Sequence, residues 1–281
     1  MTRVGLLHPG EMGAAVGAAL RVGGAEVLWA SRGRSDATRS RAADAGLTDV
    51  DTLAELVRRS ETIISVCPPR AALDQARAVA ACGFEGMYVD VNAVAPATAC
   101  EIAATAGHVT DGGIIGGPPR VKGTTRLYLS GPGADDVAKL FAGSPLDAIV
   151  IDGDVGAASA LKMCFAAWTK GTSALLVAVR AVAAAEHVDR ALLEEWAISL
   201  PDLPGRSEGA ARGTAPKAWR FVGEMHEIAD TFAAAGLPAG FHEAAAEVYE
   251  RMARFQDAET APTLEEVVAA VTQWPQNSRA R

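Results

Sequence analysis

The first 150 residues alternate short apolar runs with longer stretches of helical spacing, and this alternation constrains the fold most. The apolar runs are rich in β-branched residues, as buried strands are, and cover Arg3–Leu7, Glu26–Ala30, Thr62–Val66, Met87–Val91 and Leu127–Ser130. The helical stretches between them are Glu11–Val22, Asp36–Ala45, Thr52–Arg59, Ala71–Ala81 and Pro96–Ala106. Such alternation predicts a mainly parallel sheet with helices on both faces.

The pattern changes after Gly153, where a long and almost uniformly apolar stretch begins. Val155 to Val188 contains no proline and is apolar on nearly every helical face, which predicts a long helix buried on several sides. Further helical stretches follow without a strand between them: Arg190–Leu200, Lys217–Ala235, Gly240–Phe255 and Thr263–Trp274. We therefore predict two domains, an α/β domain over residues 1–153 and an all-α domain over residues 154–281.

Charge and composition narrow the class of partner. The 281 residues carry a net charge of −8, so no basic field attracts a nucleic-acid backbone. The four cysteines form no C-x-x-C pair, which favours reduced thiols over a disulfide or a metal site. The N-terminus lacks the apolar core of a signal peptide, and Arg180 interrupts the longest apolar run, which is too short to span a bilayer. We expect a cytoplasmic protein without nucleic-acid, membrane or metal partners.

The first predicted strand runs directly into the turn HPGEMG at residues 8–13 and then into a helix. A tight strand–turn–helix connection leaves free backbone N–H groups at the helix N-terminus, where they bind a pyrophosphate. The usual fingerprint is G-x-G-x-x-G, and here His8 replaces the first glycine. We predict a Rossmann-type dinucleotide-binding domain with Gly10, Glu11, Met12 and Gly13 at the phosphates. Ordinary turn glycines are the alternative.

The end of the second predicted strand indicates which dinucleotide is bound. NAD-binding domains place Asp or Glu about 20 residues after the glycines, where it binds the ribose hydroxyls. Here the residues at this point are Ser31, Arg32, Arg34 and Ser35, with no acid before Asp36. Guanidinium groups bind a phosphate bidentately, so this cluster favours NADP(H) over NAD(H). A solvated basic loop is the alternative.

Five segments of the chain, in this order and spacing, resemble the superfamily of 3-hydroxyisobutyrate and 6-phosphogluconate dehydrogenases, the β-hydroxyacid dehydrogenases. They are VGLLHPGEMG at 4–13, SRGRS at 31–35, VDVNAVAPATA at 89–99, DGGIIGGPPRVKGTTRLYLSG at 111–131 and GDVGAASALKM at 153–163. The C-terminal half, with LKMCFAAWTKGTSALL and FVGEMHEIADTF, is similar to a branch with a helical domain of formerly unknown function. The resemblance covers nearly the whole chain.

The resemblance implies roles for matching positions. On the cofactor side it implies pyrophosphate binding at the glycine turn, passage of Cys67-Pro68 under the adenosine, and a place beside the nicotinamide ribose for Asn92 or its backbone. On the substrate side, Gly116 and Gly117 match the glycine pair that binds the acid group.

Lys162 matches the superfamily's catalytic lysine and also stands out by itself. It is the only charged residue between Asp154 and Lys170. Burial of an ammonium penalises its charged form, which suits proton transfer near neutral pH. A lysine whose stem covers apolar surface and whose ammonium reaches water is the alternative.

Two departures from the superfamily pattern concern the substrate. Ala166 stands where an asparagine usually follows the lysine, and Ile115 stands where a serine precedes the glycine pair. Both changes remove groups that bind a hydroxy acid, so we expect a substrate other than 3-hydroxyisobutyrate. Replacement contacts are expected from a later helix, at Trp219, His226 and Glu227, unless the last two form an exposed helix face.

These observations predict an NADP-dependent dehydrogenase or reductase for a small hydroxy acid or its keto counterpart, with Lys162 as general acid and base. An imine reductase shares this architecture but usually carries Asp or Tyr at the lysine position, and a non-catalytic NADP-binding protein is a further alternative. The apolar helix from Val155 to Val188 exceeds what a small helical domain covers. We therefore expect a homodimer, which the resemblance also implies.

Overall fold

The computed structural model describes residues 1–256, 258 and 260–273, and within it the chain forms two compact units. The first unit is Met1–Met163, and the second begins at Cys164. The division lies ten residues after the predicted boundary at 153/154 because the first turns of the long helix pack on the sheet. The predicted helix Thr263–Trp274 is observed as Leu264–Thr272, and Trp274 lies outside the described residues.

One eight-stranded sheet forms the centre of the first unit, in the order β3-β2-β1-β4-β5-β6-β7-β8. All neighbouring strands are parallel except β6 and β7, which pair antiparallel. The strands are β1 (Arg3–Leu7), β2 (Glu26–Trp29), β3 (Thr48–Asp49), β4 (Thr62–Ser65), β5 (Met87–Asp90), β6 (Val109–Ile115), β7 (Thr125–Ser130) and β8 (Leu146–Val150). The Rossmann-type parallel sheet predicted from the alternation is thus confirmed.

The helices of this unit cover both faces of the sheet. They are α1 (Glu11–Val22), α2 (Asp36–Asp44), α3 (Leu53–Arg59), α4 (Pro69–Ala81), α5 (Pro96–Ala106), α6 (Ala134–Lys139) and α7 (Ala157–Ala166). One apolar core contains side chains of α1, α2 and α6, and a second contains side chains of α3, α4 and α5. The side chains of Ser35 and Thr52 cap α2 and α3 by accepting from backbone N–H groups three residues later.

Strand β6 differs from a typical strand sequence, since it contains Asp111 and two adjacent glycines. A Cβ at Gly112 would lie 2.7 Å from Val91 Cγ1, and one at Gly113 would lie 2.8 Å from the carbonyl oxygen of Ala158. The glycines therefore permit close packing of β6 against β5 on one side and α7 on the other. Because glycine and aspartate are rare in strands, residue propensities do not predict β6.

The second unit is helical, as predicted. After α7 the chain continues through a π-helical segment, Ala167–Gly171, into α8 (Thr172–Ala185). The remaining helices are α9 (Asp189–Ser199), α10 (Leu203–Thr214), α11 (Ala218–Ala234), α12 (Gly240–Met252) and α13 (Leu264–Thr272). Within the described part of the chain, no helix is long and apolar enough to cross a membrane.

An ion pair with a buried arginine connects three helices of the helical unit. Arg180 of α8 donates from Nε and Nη2 to the carboxylate of Asp189, at 2.7 and 3.0 Å, and from Nη1 to Ser207 Oγ at 3.0 Å. Since the Arg180 side chain is only 7% exposed, this bidentate pairing satisfies a guanidinium that would otherwise be costly to bury.

Candidate functional site

The turn between β1 and α1 has the backbone geometry of a phosphate-binding loop. Gly10 is the N-cap of α1 and has no side chain to cap the helix, so the N–H groups of the first turn face outward. A Cβ at Gly10 would meet no atom within 4 Å, whereas one at Gly13 would overlap the carbonyl oxygen of His8. Open space at Gly10 and close packing at Gly13 fit a pyrophosphate at this helix N-terminus. Glu11 is exposed, and Met12 is half-buried.

His8 occupies the first fingerprint position with an unusual backbone. Its φ is +61°, in the left-handed region that favours glycine. Its Nδ1 lies 2.6 Å from Nη1 of Arg34. Burial, followed by the charge of Arg34, lowers the pKa of His8, and the Gln75 side chain acts in the opposite direction. The ring is therefore neutral at physiological pH.

The two arginines after β2 are held differently. Arg32 is largely exposed and pairs with the Asp51 carboxylate at 2.5 Å. Arg34 is more buried, and burial lowers its pKa, while the nearby Cys67 acts in the opposite direction. Ser31 is buried and donates to Asp49, whereas Ser35 is exposed and caps α2. Thus the serines have structural partners, and the two guanidiniums remain the groups suited to a phosphate.

A cavity of about 270 Å³ joins these groups. The residues that line it are His8, Arg32, Arg34, Asp51 and Gln75, together with Leu6, Leu7, Ala30, Thr52 and Leu53. Two guanidiniums, a neutral imidazole and the nearby open turn at Gly10 fit the adenosine phosphates of a dinucleotide. Asp51 is the one carboxylate among the residues lining this cavity, and it competes with an anionic ligand for Arg32.

The ends of β4 and β5 are tied together by a buried amide. Asn92 is 2% exposed. Its Oδ1 accepts from the backbone N–H of Cys67 at 2.5 Å, and its Nδ2 donates to Ser65 Oγ at 3.0 Å and to Asp90. The side chain is thus occupied within the protein, so the predicted contact with a nicotinamide ribose falls to the backbone of Asn92 and stays a prediction. Pro68 is exposed at the same sheet edge.

Cys67 is not a nucleophile in this environment. Burial raises the pKa of its thiol to about 12, with a smaller contribution of the same sign from Asp90. The thiol is therefore protonated at physiological pH and unreactive, and the side chain contributes packing rather than chemistry.

Lys162 lies in the second turn of α7, against the sheet. A Cβ added at Gly113 would lie 2.9 Å from Lys162 Cβ, which brings the stem of the lysine close to the backbone of β6. The side chain is half-buried. Because β6 runs parallel to β5, this contact lies toward the same sheet edge as the β1–α1 turn. The structure thereby brings the predicted lysine toward the edge that carries the dinucleotide loop.

Asp111 fixes the start of α7 on the sheet. Its Oδ2 accepts from the backbone N–H groups of Gly156 and Ser159, both at 2.9 Å, and its Oδ1 accepts from Ser159 Oγ at 2.6 Å. Ser130 Oγ donates to Asp111 Oδ2 at 3.3 Å and accepts from Ala158 N at 3.0 Å. A buried carboxylate at a helix N-terminus is stabilised by these donors and by the helix dipole. We did not identify this residue from the sequence, because an Asp within a Gly-rich run resembles a turn.

The glycine pair after β6 lies at the carboxyl end of that strand. Gly116 has a φ of +121°, and a Cβ there would overlap the carbonyl oxygen of Thr124. Gly117 has nothing within 4 Å of its Cβ position, and its carbonyl oxygen accepts from Thr125 Oγ1 at 2.6 Å. Both glycines are exposed, so backbone atoms at Gly117 are open to a ligand.

The remaining predicted substrate residues lie on α11 of the helical unit. Trp219 is half-buried, with the Arg220 guanidinium 5.1 Å from its ring centroid. His226 is exposed and Glu227 is half-buried. Their arrangement is that of a helix surface, and their role as substrate contacts stays a prediction.

The helical unit also contains a buried ion pair that the sequence did not suggest. Lys170 of the π-helical segment pairs with Glu224 of α11, and the two side chains are 14% and 15% exposed. Tyr249 donates to the carbonyl oxygen of Lys170 at 2.8 Å, and the Phe221 ring centroid lies 4.8 Å from Lys170 Nζ. These contacts satisfy the pair internally and stabilise the π-helical segment. Among the described residues, no group of His, Cys, Asp or Glu is arranged to hold a metal ion.

Comparison with known families and proteins gives matches over both units. Residues 183–252 match the family described as a domain of unknown function, DUF1932. An uncharacterised 28.5 kDa protein of Methanothermus fervidus, from the 5′ region of 7S RNA, is 35% identical over 161 residues. That match spans 56% of this chain and 62% of the relative.

Solved structures share the fold over almost the whole chain. A conserved protein of unknown function, described as structurally similar to 3-hydroxyacid dehydrogenases, is 27% identical with a TM-score of 0.68, over 90% of this chain and 97% of that one. Mycobacterium tuberculosis 3-hydroxyisobutyrate dehydrogenase is 18% identical with a TM-score of 0.65, over 96% and 99%. A Streptomyces aurantiacus imine reductase is 19% identical with a TM-score of 0.52, over 95% and 98%. At the two lower identities the likeness concerns the fold.

Proposed function

We propose, from the premise that the chain is a β-hydroxyacid dehydrogenase-like protein with a C-terminal DUF1932 domain, that it is an NADP(H)-dependent oxidoreductase. It transfers a hydride between the cofactor and a small hydroxy acid or its keto counterpart. The observation that carries this proposal is the convergence of an open glycine turn, a guanidinium-lined cavity and Lys162 toward one sheet edge. NADP(H), when bound, supplies the hydride chemistry.

The residues of the chain have separate tasks in this proposal. The first turn of α1 binds the pyrophosphate, and Arg32 and Arg34 bind the 2′-phosphate. Backbone atoms at Gly117 bind the acid group of the substrate. Lys162 donates a proton to the carbonyl oxygen during reduction and accepts it from the hydroxyl during oxidation.

Reduction of an imine is the second candidate. Ile115, where the superfamily has a serine, is only 5% exposed, so an apolar side chain lies just before the glycine pair. A site without that hydroxyl binds a hydroxy acid less well, and the imine reductase fold is similar to this one.

A substrate panel tests both candidates. Oxidation of NADPH is followed with β-keto acids and with cyclic imines, and oxidation of β-hydroxy acids is followed with NADP⁺. Turnover of the acids alone supports the first candidate, and turnover of the imines alone supports the second. Binding of NADPH without turnover of any compound would favour a cofactor-binding protein.

We also propose that the protein is a homodimer. On the helical run that follows Met163, Phe165, Trp168, Leu175 and Val182 are 42%, 68%, 48% and 63% exposed. Exposed apolar side chains of this size, at intervals of three and seven residues, are typical of a subunit interface. A second copy of the chain would cover them.

A further inference from the structure

His8 combines three features that ordinary core packing does not explain. It stands at the first position of the dinucleotide fingerprint, where glycine is usual, and holds a φ of +61°. A side chain at this backbone angle is disfavoured, so its presence suggests a use for the imidazole. The ring lines the cavity that also contains the two arginines after β2.

The contact with Arg34 determines which ring nitrogen carries the proton. Arginine is always a donor, so the Arg34 Nη1 group donates to Nδ1 of His8 across 2.6 Å. In the neutral ring the hydrogen then resides on Nε2. That atom is buried and makes no hydrogen bond of good geometry within the described part of the chain. The Gln75 side chain approaches the ring as a hydrogen-bond partner and acts to raise the pKa of His8, and a ligand at Nε2 would compete with it.

Among the described residues, Nε2 therefore has no acceptor of good hydrogen-bond geometry. A buried N–H without a partner is costly, and a bound anion at this place would satisfy it. The groups around the ring fit a phosphate, since Arg34 and Arg32 provide two guanidiniums and Gln75 provides an amide. The position after β2 lies where a Rossmann-type domain places the 2′-substituent of the adenosine ribose.

We propose that His8 binds the 2′-phosphate of NADP(H), with Nε2 donating to a phosphate oxygen and Nδ1 fixing the Arg34 guanidinium. The inference rests on the proposed NADP(H) site and adds a specificity-determining residue to it. His8 thus provides preference for NADPH over NADH rather than general affinity for dinucleotides.

The test compares His8→Gly with His187→Gly. His187 also has a left-handed backbone, with a φ of +60°, but lies exposed in the helical unit, so its substitution controls for the relief of backbone strain. NADPH and NADH are titrated by fluorescence, and adenosine 2′,5′-bisphosphate and AMP by calorimetry. These two nucleotides differ only in the 2′-phosphate, and neither titration needs a substrate.

We expect His8→Gly to weaken NADPH and the bisphosphate by about tenfold, the effect of one charge-assisted hydrogen bond, with NADH and AMP unchanged. His187→Gly should change none of the four affinities. If Arg34 acts together with His8, the effects of His8→Gly and Arg34→Ala on NADPH will not add.

Two results would overturn the inference in distinguishable ways. Equal weakening of NADPH and NADH in His8→Gly, or an unchanged preference, would leave the NADP(H) site intact but remove His8 from 2′-phosphate recognition. Equal affinities for the two cofactors in the wild type would instead overturn the assignment of NADP(H) itself.

Discussion

The α/β unit and the helical unit use polar groups in different ways. In the first unit, Asp111 and Asn92 are fully buried at the sheet and each binds several groups on neighbouring elements. In the second, the ion pairs Arg180–Asp189 and Lys170–Glu224 connect helices, while large apolar side chains remain exposed. On the proposed function, this difference assigns the reacting groups to the α/β unit and subunit association to the helical unit, and the variants below test both assignments.

Substitution of Lys162 is expected to have the largest effect, and it tests whether the α/β unit carries the group that transfers the proton. Lys162→Ala should lower turnover about 10²–10⁴-fold, the usual contribution of general acid–base catalysis, with NADPH affinity nearly unchanged. Lys162→Arg should not restore turnover, because a guanidinium stays protonated. Steady-state kinetics on a substrate found in the panel measures both, with the exposed Lys217→Ala as control. Near-normal turnover in the alanine variant would show that Lys162 is not the proton donor. His226 in the helical unit would then be the next candidate, and the contrast between the two units would not hold.

Asp111 tests whether the α/β unit depends on its buried carboxylate. Asp111→Asn places an amide N–H₂ among donors from Gly156, Ser159 and Ser130, so we expect a loss of about 2–4 kcal/mol in the free energy of unfolding. Chemical denaturation followed by circular dichroism measures it. Asp135→Asn, at an exposed position, should cost less than about 0.5 kcal/mol. Equal stabilities of the two variants would show that the hydrogen bonds of Asp111 between β6 and α7 contribute little to the free energy of unfolding.

The association of the helical unit is tested by adding charge to its exposed apolar residues. The double variant Leu175→Glu, Val182→Glu should weaken a homodimer by at least about 100-fold, because like charges would be buried at the interface. Light scattering at micromolar concentration should then give a dimer for the wild type and a monomer for the variant. Ile198→Glu is the matched control, since Ile198 is 79% exposed on α9. A monomeric wild type would refute the interface.

The smallest expected effect concerns Arg32. Arg32→Ala should remove most of the preference for NADPH, about tenfold, because one charged phosphate contact is lost. Fluorescence titration with NADPH and NADH measures the preference. Asp51→Asn should have the opposite effect, since it releases Arg32 from its ion pair. If neither variant changes the preference, then Arg34 and His8 alone recognise the 2′-phosphate.

The sequence predicted the parts of the fold that depend on local periodicity. β1, α1 and α5 have the predicted bounds, because apolar spacing and turn residues determine them. β3, β6, β8, α6 and α10 were not predicted. In β6 the glycines are selected for contact with Val91 and α7, and this tertiary requirement overrides strand propensity. The long helix was predicted as one piece, but its π-helical segment depends on Glu224 and Tyr249, which lie far away in the sequence.

For the candidate site, the sequence supplies residue positions, whose functional roles stay predictions, and not the contacts among them. The glycine turn and the arginines after β2 could be proposed because motif spacing places them at strand ends, and Lys162 because it is the only charged residue in an apolar helical stretch. The contact between His8 and Arg34 could not, since it joins residues 26 positions apart through side-chain conformation. The hydrogen bonds of the Asn92 side chain with Ser65, Asp90 and Cys67 likewise could not be predicted, because they depend on three-dimensional packing.

The reversal of strand order at β1 and β4 allows this architecture to change its chemistry over evolutionary time. The chain leaves β1 for α1 on one face of the sheet and leaves β4 for α4 on the other, so a crevice opens between the two strand ends. His8 and Cys67 lie there, in segments that follow the strands and carry little of the sheet's pairing. On the proposed function, substitutions in these segments would alter what is bound while the sheet persists. Diversification of this kind would account for one architecture in a hydroxyacid dehydrogenase and an imine reductase that are both below 20% identical to this chain.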